Sequence, residues 1–195
     1  MQKVINEIKK LDIKVLYKKE DIYPYAFDTA PLKKEIETPV CVVFPKNTKD
    51  VQKIVILANK YGLNIVPRGA ATCHTSGCKP NQKSIVVHLS LMDKIIEINK
   101  EDLTAKVQPY VVVKQLQEAA EKLGLFFPPD PSNLAVSTVG GAAALCAGGP
   151  RAFKYGTTKD YVINLKVVLG TGEILETGSN IAKNVTGYNL TQLFV

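Results

Sequence analysis

The sequence predicts an α+β fold in two small lobes, a small parallel α/β lobe followed by a lobe built on a mixed or antiparallel sheet. Two observations predict it. Residues 39–69 read as strand, helix, strand, the pattern of a right-handed crossover between parallel strands. Residues 84–109 and 161–178 read instead as short strands joined by tight turns, with few helices among them. There is no internal repeat and no low-complexity tract.

The elements follow in order. Val4, Ile5, Ile8 and Leu11 set an apolar stripe at helical spacing over residues 2–11. Residues 20–38, with Pro24, Pro31 and then Pro39 as breakers, read as irregular. PVCVVFP (39–45) reads as a buried strand bounded by prolines. NTKDVQKIVILANKYG (47–62) reads as a helix, with Asn47 as its cap, Asp50 in its first turn and Gly62 as its stop. LNIVPRG (63–69) is a second short strand, and the loop after it leaves a carboxyl end, where open α/β sheets bind ligands.

SIVVHLS (84–90), KIIEINK (94–100) and LTAKVQP (103–109) read as strands. VVKQLQEAAEKLG (112–124) reads as a helix stopped by glycine, and LFFPPDPSN (125–133) as a rigid extended stretch set by its prolines. STVGGAAALCAGGP (137–150) is a small-residue segment bracketed by glycine pairs. YVINLKVVLGTGEILETG (161–178) reads as a hairpin turning at Gly170, Thr171 and Gly172.

Bulk properties narrow the function classes. The chain has 195 residues, 46% apolar and 22% charged, which suits a globular protein with a sizeable core. No apolar run reaches the roughly 18–20 residues of a membrane span, and the lysine-rich N-terminus has no signal core. The four cysteines, Cys41, Cys73, Cys78 and Cys146, are too scattered for a secreted disulfide framework, so a reduced, cytoplasmic protein is expected. Net charge is +7, with Lys9, Lys10, Lys18, Lys19, Lys33 and Lys34 crowding the N-terminal part. No recognition motif or aromatic interleaving marks a nucleic-acid binder. The charge reads as a solvated face, or as a docking face for an acidic partner.

The loop PRGAATCHTSGCKP (67–80) concentrates the chemistry. Cys73 and Cys78 are spaced C-x4-C around His74, but a structural zinc site wants four ligands in two pairs and a cluster wants four thiolates. A metal, a redox disulfide and a polar turn without a ligand all stay open. The alternative is an anion cradle: small residues let the backbone approach a phosphate, successive N–H groups make a nest, and Thr72, Thr75 and Ser76 add hydroxyls. Arg68 either adds charge or braces the loop. Gly140–Gly141 and Gly148–Gly149 flank AAALCA, where backbone could lie flat against something large and planar or could serve close packing within the chain. Two such segments favour one large shared ligand.

VPRGAATCHTSG, LSLMDKIIEINKEDLTAKVQPYV, GLFFPPDPSN, STVGG, AGGPRAFKYG and KNVTGYNLTQLFV, in this order, resemble the FAD-linked oxidase family, nearest to its glycolate oxidase and D-lactate dehydrogenase flavin subunits. The resemblance runs from about residue 36 to the end. It implies a two-lobed FAD-binding domain of the vanillyl-alcohol-oxidase/PCMH type, with the cofactor stretched between the lobes. Residues 1–35 would form an N-terminal helical and irregular segment, residues 36–92 the first lobe and residues 93–195 the second, incomplete at its C-terminus.

By position, the resemblance places Pro67, Arg68, Gly69, Ala70, Ala71, Thr72, Cys73, His74, Ser76 and Gly77 around the FAD pyrophosphate. Pro129, Asp130, Pro131 and Ser132 would run along the cofactor, and Thr138, Gly140 and Gly141 would meet its middle. Ala147, Gly148, Gly149, Tyr155 and Gly156 would lie near the flavin.

The implied activity is the FAD-binding portion of an oxidoreductase that oxidises a 2-hydroxy acid and passes electrons to a partner carrier, with an acidic electron-carrier protein as candidate. The alternatives are the flavin subunit of a molybdenum hydroxylase, or a truncated module that keeps the fold and binds a partner without FAD. No catalytic residue and no metal site are expected in the chain.

Four departures bear on this. The family loop has the form P-R-G-x-G-T-G-x-x-G-G, but Ala71, Cys73 and Ser76 stand here where glycines are common. Each added Cβ is expected to crowd a phosphate or disfavour a positive φ, weakening FAD binding. Ala142, Leu145 and Cys146 replace polar residues, and His74 is offset from the position of a flavin-linking histidine. The family continues into a cap domain that would carry substrate-binding residues, so a fragment or a small subunit completed by another chain is expected.

Overall fold

The computed structural model describes residues 2–31, 36–179 and 187–195. Lys33, Lys34 and residues 183–186 of the KNVTGYNLTQLFV block lie outside the described residues. The chain divides into two compact units, one of Met1–Met92 with Val168–Ile174 and the other of Asp93–Val167 with Leu175–Val195.

The first unit opens with α1 (Gln2–Lys10), which buries Val4, Ile5 and Ile8 as the stripe predicts. A three-residue strand, β1 (Lys14–Leu16), follows. The stretch expected to be irregular holds α2 (Lys19–Ile22) and a 3-10 turn over Tyr23–Ala26. Then come β2 (Cys41–Phe44), α3 (Thr48–Tyr61), β3 (Asn64–Arg68) and β4 (Ser84–His88). The Asn47 side chain accepts from the Asp50 amide at 3.0 Å and so caps α3. Gly62 ends the helix in the left-handed region at φ +61°.

The sheet order is β1-β2-β4-β3. β2 and β3 are both parallel to β4, which inserts between them, and β1 is antiparallel to β2. SIVVHLS therefore completes the parallel sheet and does not begin the hairpin that follows it. Both faces are covered, which explains the unbroken apolar runs CVVF and IVV. Cys41, Val43, Ile85 and Val87 pack on one face with Val4, Ile8, Ile54, Leu57 and Ala58. Val42, Phe44 and Val86 pack on the other with Ile22, Tyr25 and Val66. The β2–α3–β3–β4 order delivers residues 69–80 from the carboxyl end of β3.

The second unit begins with an antiparallel pair, β5 (Ile95–Asn99) and β6 (Thr104–Val107). α4 (Val113–Glu121) buries Val113, Leu116, Gln117 and Ala120. The small-residue segment forms a short helix, α5 (Val139–Ala144), capped by the Thr138 side chain, and α6 (Ala152–Tyr155) follows. β7 (Asn164–Val168) and β8 (Ile174–Gly178) make a two-stranded sheet turning where expected, with the Gly172 amide donating to the Leu169 carbonyl at 2.8 Å. Among the described residues, no helix is long and apolar enough to cross a membrane.

Candidate functional site

The loop after β3 has its geometry set by its own backbone and by the segment before β2. Arg68 ends β3, pairs with His88 in register and is 9% exposed. Its guanidinium lies over the Tyr25 ring at 5.5 Å and donates to the carbonyls of Tyr25 and Cys78 at 3.4 and 3.5 Å. Of the two roles open to Arg68, these contacts serve the brace. They tie the last residue of β3 to the far end of the loop.

Ala71 and Ser76 adopt φ of +57° and +63°. These are two of the three positions where glycine is the common residue, so the sequence keeps the glycine backbone while carrying side chains there. Left-handed backbone costs an L-residue roughly 1–2 kcal/mol. Cys73, the third position, turns its sulfur inward. Its Sγ shares a hydrogen bond with the Thr75 hydroxyl at 2.9 Å and accepts from the Thr75 amide at 3.4 Å. The Thr75 hydroxyl and the Thr75 and Gly77 amides hold its thiol below the usual cysteine value. Cys78 is half-buried, and burial pushes its thiol up.

The amides of residues 69–75 and 77 therefore fall into two sets. Those of Thr75 and Gly77 turn toward sulfur. Those of Gly69, Ala70, Ala71, Thr72, Cys73 and His74 meet no acceptor among the described residues. A row of unsatisfied backbone donors beside small side chains can receive an anion without a dedicated basic residue. This observation fits the loop to a phosphate-bearing ligand. All four cysteines are free, and among the described residues no group of three or more His, Cys, Asp or Glu is placed to hold a metal ion.

Sequence reasoning missed the segment that holds this loop. Tyr25, Asp28, Thr29, Ala30 and Pro31 all contact it or its C-terminal end. Thr29 donates to the Ala71 and Cys73 carbonyls, and Lys79 donates to the Ala30 and Pro31 carbonyls beside Asp28. These partners lie more than 40 residues away in sequence, and no local pattern announces them.

In the second unit, the proline-set stretch is fixed by Gln117, which is buried and donates to the carbonyls of Pro129 and Phe127 at 2.8 and 3.1 Å. Asp130 pairs with Arg151 at 3.4 Å, while Ser132 is exposed. Thr138 accepts from the Gly141 amide at 3.3 Å, and Ala147 accepts from the Thr158 hydroxyl at 2.7 Å.

Two of the glycines here serve packing within the chain. A Cβ on Gly140 would stand 2.7 Å from Pro109 Cβ, and one on Gly149 would overlap the Asp130 carbonyl. Gly148 has ordinary space, with nothing nearer than 3.7 Å. Gly156 adopts φ +84° and closes α6, next to Tyr155, whose ring meets Phe126 edge-on at 5.6 Å.

Known proteins resemble this chain in sequence and in fold. The family described as "FAD binding domain" matches residues 39–178. Glycolate oxidase subunit GlcD of Bacillus subtilis is 43% identical over 171 residues, covering 88% of this chain and 36% of that protein. D-2-hydroxyglutarate dehydrogenase of Stutzerimonas stutzeri is 38% identical over 194 residues, covering 98% and 41%. The chain thus spans well under half the length of these curated relatives. Among solved structures, an alkyldihydroxyacetonephosphate synthase superposes over all of this chain and 37% of its own with a TM-score of 0.86 at 22% identity. A p-cresol methylhydroxylase with substrate bound superposes over 99% and 38% with a TM-score of 0.76 at 23% identity. Both carry the fold expected from sequence.

Proposed function

The chain belongs to the FAD binding domain family, with FAD as its cofactor, and from that premise we propose that it is the FAD-binding portion of an oxidoreductase acting on a 2-hydroxy acid of the glycolate or D-lactate type. The observation that carries the cofactor half of this reading is the row of amides over residues 69–74 that meet no acceptor among the described residues, delivered from the carboxyl end of β3. The substrate half rests on the relatives named for glycolate and for D-2-hydroxyglutarate.

FAD, when bound, supplies the hydride acceptor for the carbon bearing the substrate hydroxyl. The chain's own residues bind and orient it. The 69–74 amides receive the diphosphate, Arg68 keeps the loop in place through Tyr25 and Cys78, and Gln117 fixes the Pro129 stretch that would border the cofactor. Pro67, Gly77, Ser132, Thr138, Ala147, Gly148 and Tyr155 complete the proposed contact set. In this reading, substrate clamping falls to a completing segment or chain and onward electron transfer to a partner carrier. Residues 36–92 and 93–195 are proposed as the two lobes of this domain.

Anaerobic mixing of the FAD-loaded chain, joined to its completing segment or chain, with glycolate, D-lactate and a simple aliphatic alcohol tests the substrate class. Bleaching of the flavin band by a hydroxy acid and not by the alcohol supports it. Flavin in that complete form that only dithionite bleaches counts against hydroxy-acid oxidation and leaves the FAD reading standing.

A further inference from the structure

A trans peptide points its carbonyl and the next residue's N–H in opposite directions. The described chain holds no cis peptide bond. Thr29 grips the cradle loop by two carbonyls: its amide donates to Ala71 O at 3.3 Å and its hydroxyl donates to Cys73 O at 2.9 Å. The peptide that carries the Ala71 carbonyl also carries the Thr72 N–H, and the one that carries the Cys73 carbonyl also carries the His74 N–H. Holding both carbonyls on the Thr29 side turns both N–H groups to the opposite side. Neither meets an acceptor among the described residues.

The same grip bears on the strained step between them. Ala71 sits in the left-handed region with a side chain, a conformation that needs outside support to persist. Thr29 supplies it at the carbonyl of that very residue. The strap is anchored in turn. Asp28 lies beside Lys79 at 3.6 Å, its Oδ1 accepts from the Ala30 amide at 3.0 Å, and Lys79 donates to the Ala30 and Pro31 carbonyls at 3.3 and 2.8 Å. Residues 28–31 lie before the residues that match the family, 39–178.

We propose that Thr29 is a positioning residue of the diphosphate cradle, aiming the Thr72 and His74 amides at the anion by holding the carbonyls behind them. The inference rests on the FAD-binding reading above. It assigns the geometry of that cradle to a residue outside the matched domain.

The test uses the whole chain with Thr29→Val, which removes the hydroxyl and keeps the shape, and Thr29→Ser, which restores the hydroxyl. Thr29 is exposed, so neither change buries a new group. FAD affinity is read by flavin fluorescence, and the melting point of the FAD-free chain is read beside it. Losing one neutral hydrogen bond should weaken FAD binding about three- to tenfold in Thr29→Val. Thr29→Ser should stay near wild type, and the FAD-free melting point of both should be unchanged.

Independently of any variant, adding ADP to the wild-type chain should move the amide signals of Thr72 and His74 in a nitrogen–proton NMR spectrum. Wild-type FAD affinity in Thr29→Val, loss in Thr29→Ser as large as in Thr29→Val, a melting point that falls in step with affinity, or unmoved Thr72 and His74 signals would each overturn the proposal while the FAD reading stands. A wild-type chain that takes up no FAD overturns both.

Discussion

The Asp130 carbonyl occupies the space that a side chain at Gly149 would need. The Cβ of any other residue at 149 would overlap that oxygen. Together with the Arg151–Asp130 ion pair, this close approach holds the proline-set stretch against the turn that precedes α6. The neighbouring Gly148 carries no such demand: a methyl group there would lie 3.7 Å from Ala152 Cβ and 3.8 Å from Thr157 Cγ2.

The pair makes a matched prediction. Gly149→Ala should destabilise the chain by about 1–3 kcal/mol, the usual cost of forcing atoms into filled space. Gly148→Ala should stay within about 0.5 kcal/mol of wild type. Urea denaturation of both variants measures the difference, and equal stabilities would show that Gly149 is not held by Asp130.

Ala71 and Ser76 predict the reverse sign. Each carries a Cβ at positive φ, so Ala71→Gly and Ser76→Gly should each stabilise the chain. Relief of the left-handed strain exceeds the extra chain entropy of glycine, leaving a net gain of about 0.5–1 kcal/mol. Thermal or urea unfolding measures it, and a loss in either variant would mean that its side chain contributes more than its backbone costs.

Much of the first unit was legible in the sequence because local rules decide it. The Pro39 and Pro45 brackets, the Asn47 cap and the Gly62 stop define β2 and α3 without tertiary help. β1 was not legible: Lys14, Val15 and Leu16 are too few to show an alternation, and pairing with β2 alone makes them a strand. The insertion of β4 between β2 and β3 is likewise a matter of long-range pairing.

At the candidate site, the position of the loop and two of its left-handed residues were readable, because a family pattern rich in glycine marks where positive φ is needed. The roles of Thr29 and Tyr25 were not, since they act across more than 40 residues. The glycine-rich second segment reads the same whether its small residues face a ligand or their own chain. The contacts of Gly140 with Pro109 and of Gly149 with Asp130 show a packing demand at these two glycines that the sequence does not reveal.

His88 gives a pH prediction. It lies in β4 with its ring against Tyr25 and Phe44, and burial, with Arg68 and Lys14 nearby, lowers its pKa from 6.5 to about 4. Between those values the unfolded chain binds a proton that the folded chain refuses. The contribution of His88 to stability is therefore fully present above pH 6.5 and is lost as pH falls toward 4. His88→Gln should flatten the acid side of the stability curve in that window. An unchanged slope would assign the acid sensitivity to other groups.

The central claim is that backbone amides of residues 69–74 receive the diphosphate of FAD. Equilibrium titration of the purified chain with FAD, competed in turn by ADP and by adenosine, tests it most directly. One FAD should bind per chain, and ADP should displace it at concentrations where adenosine, which lacks the diphosphate, does not. A chain that takes up no FAD, or that releases it equally to adenosine and ADP, would contradict the account.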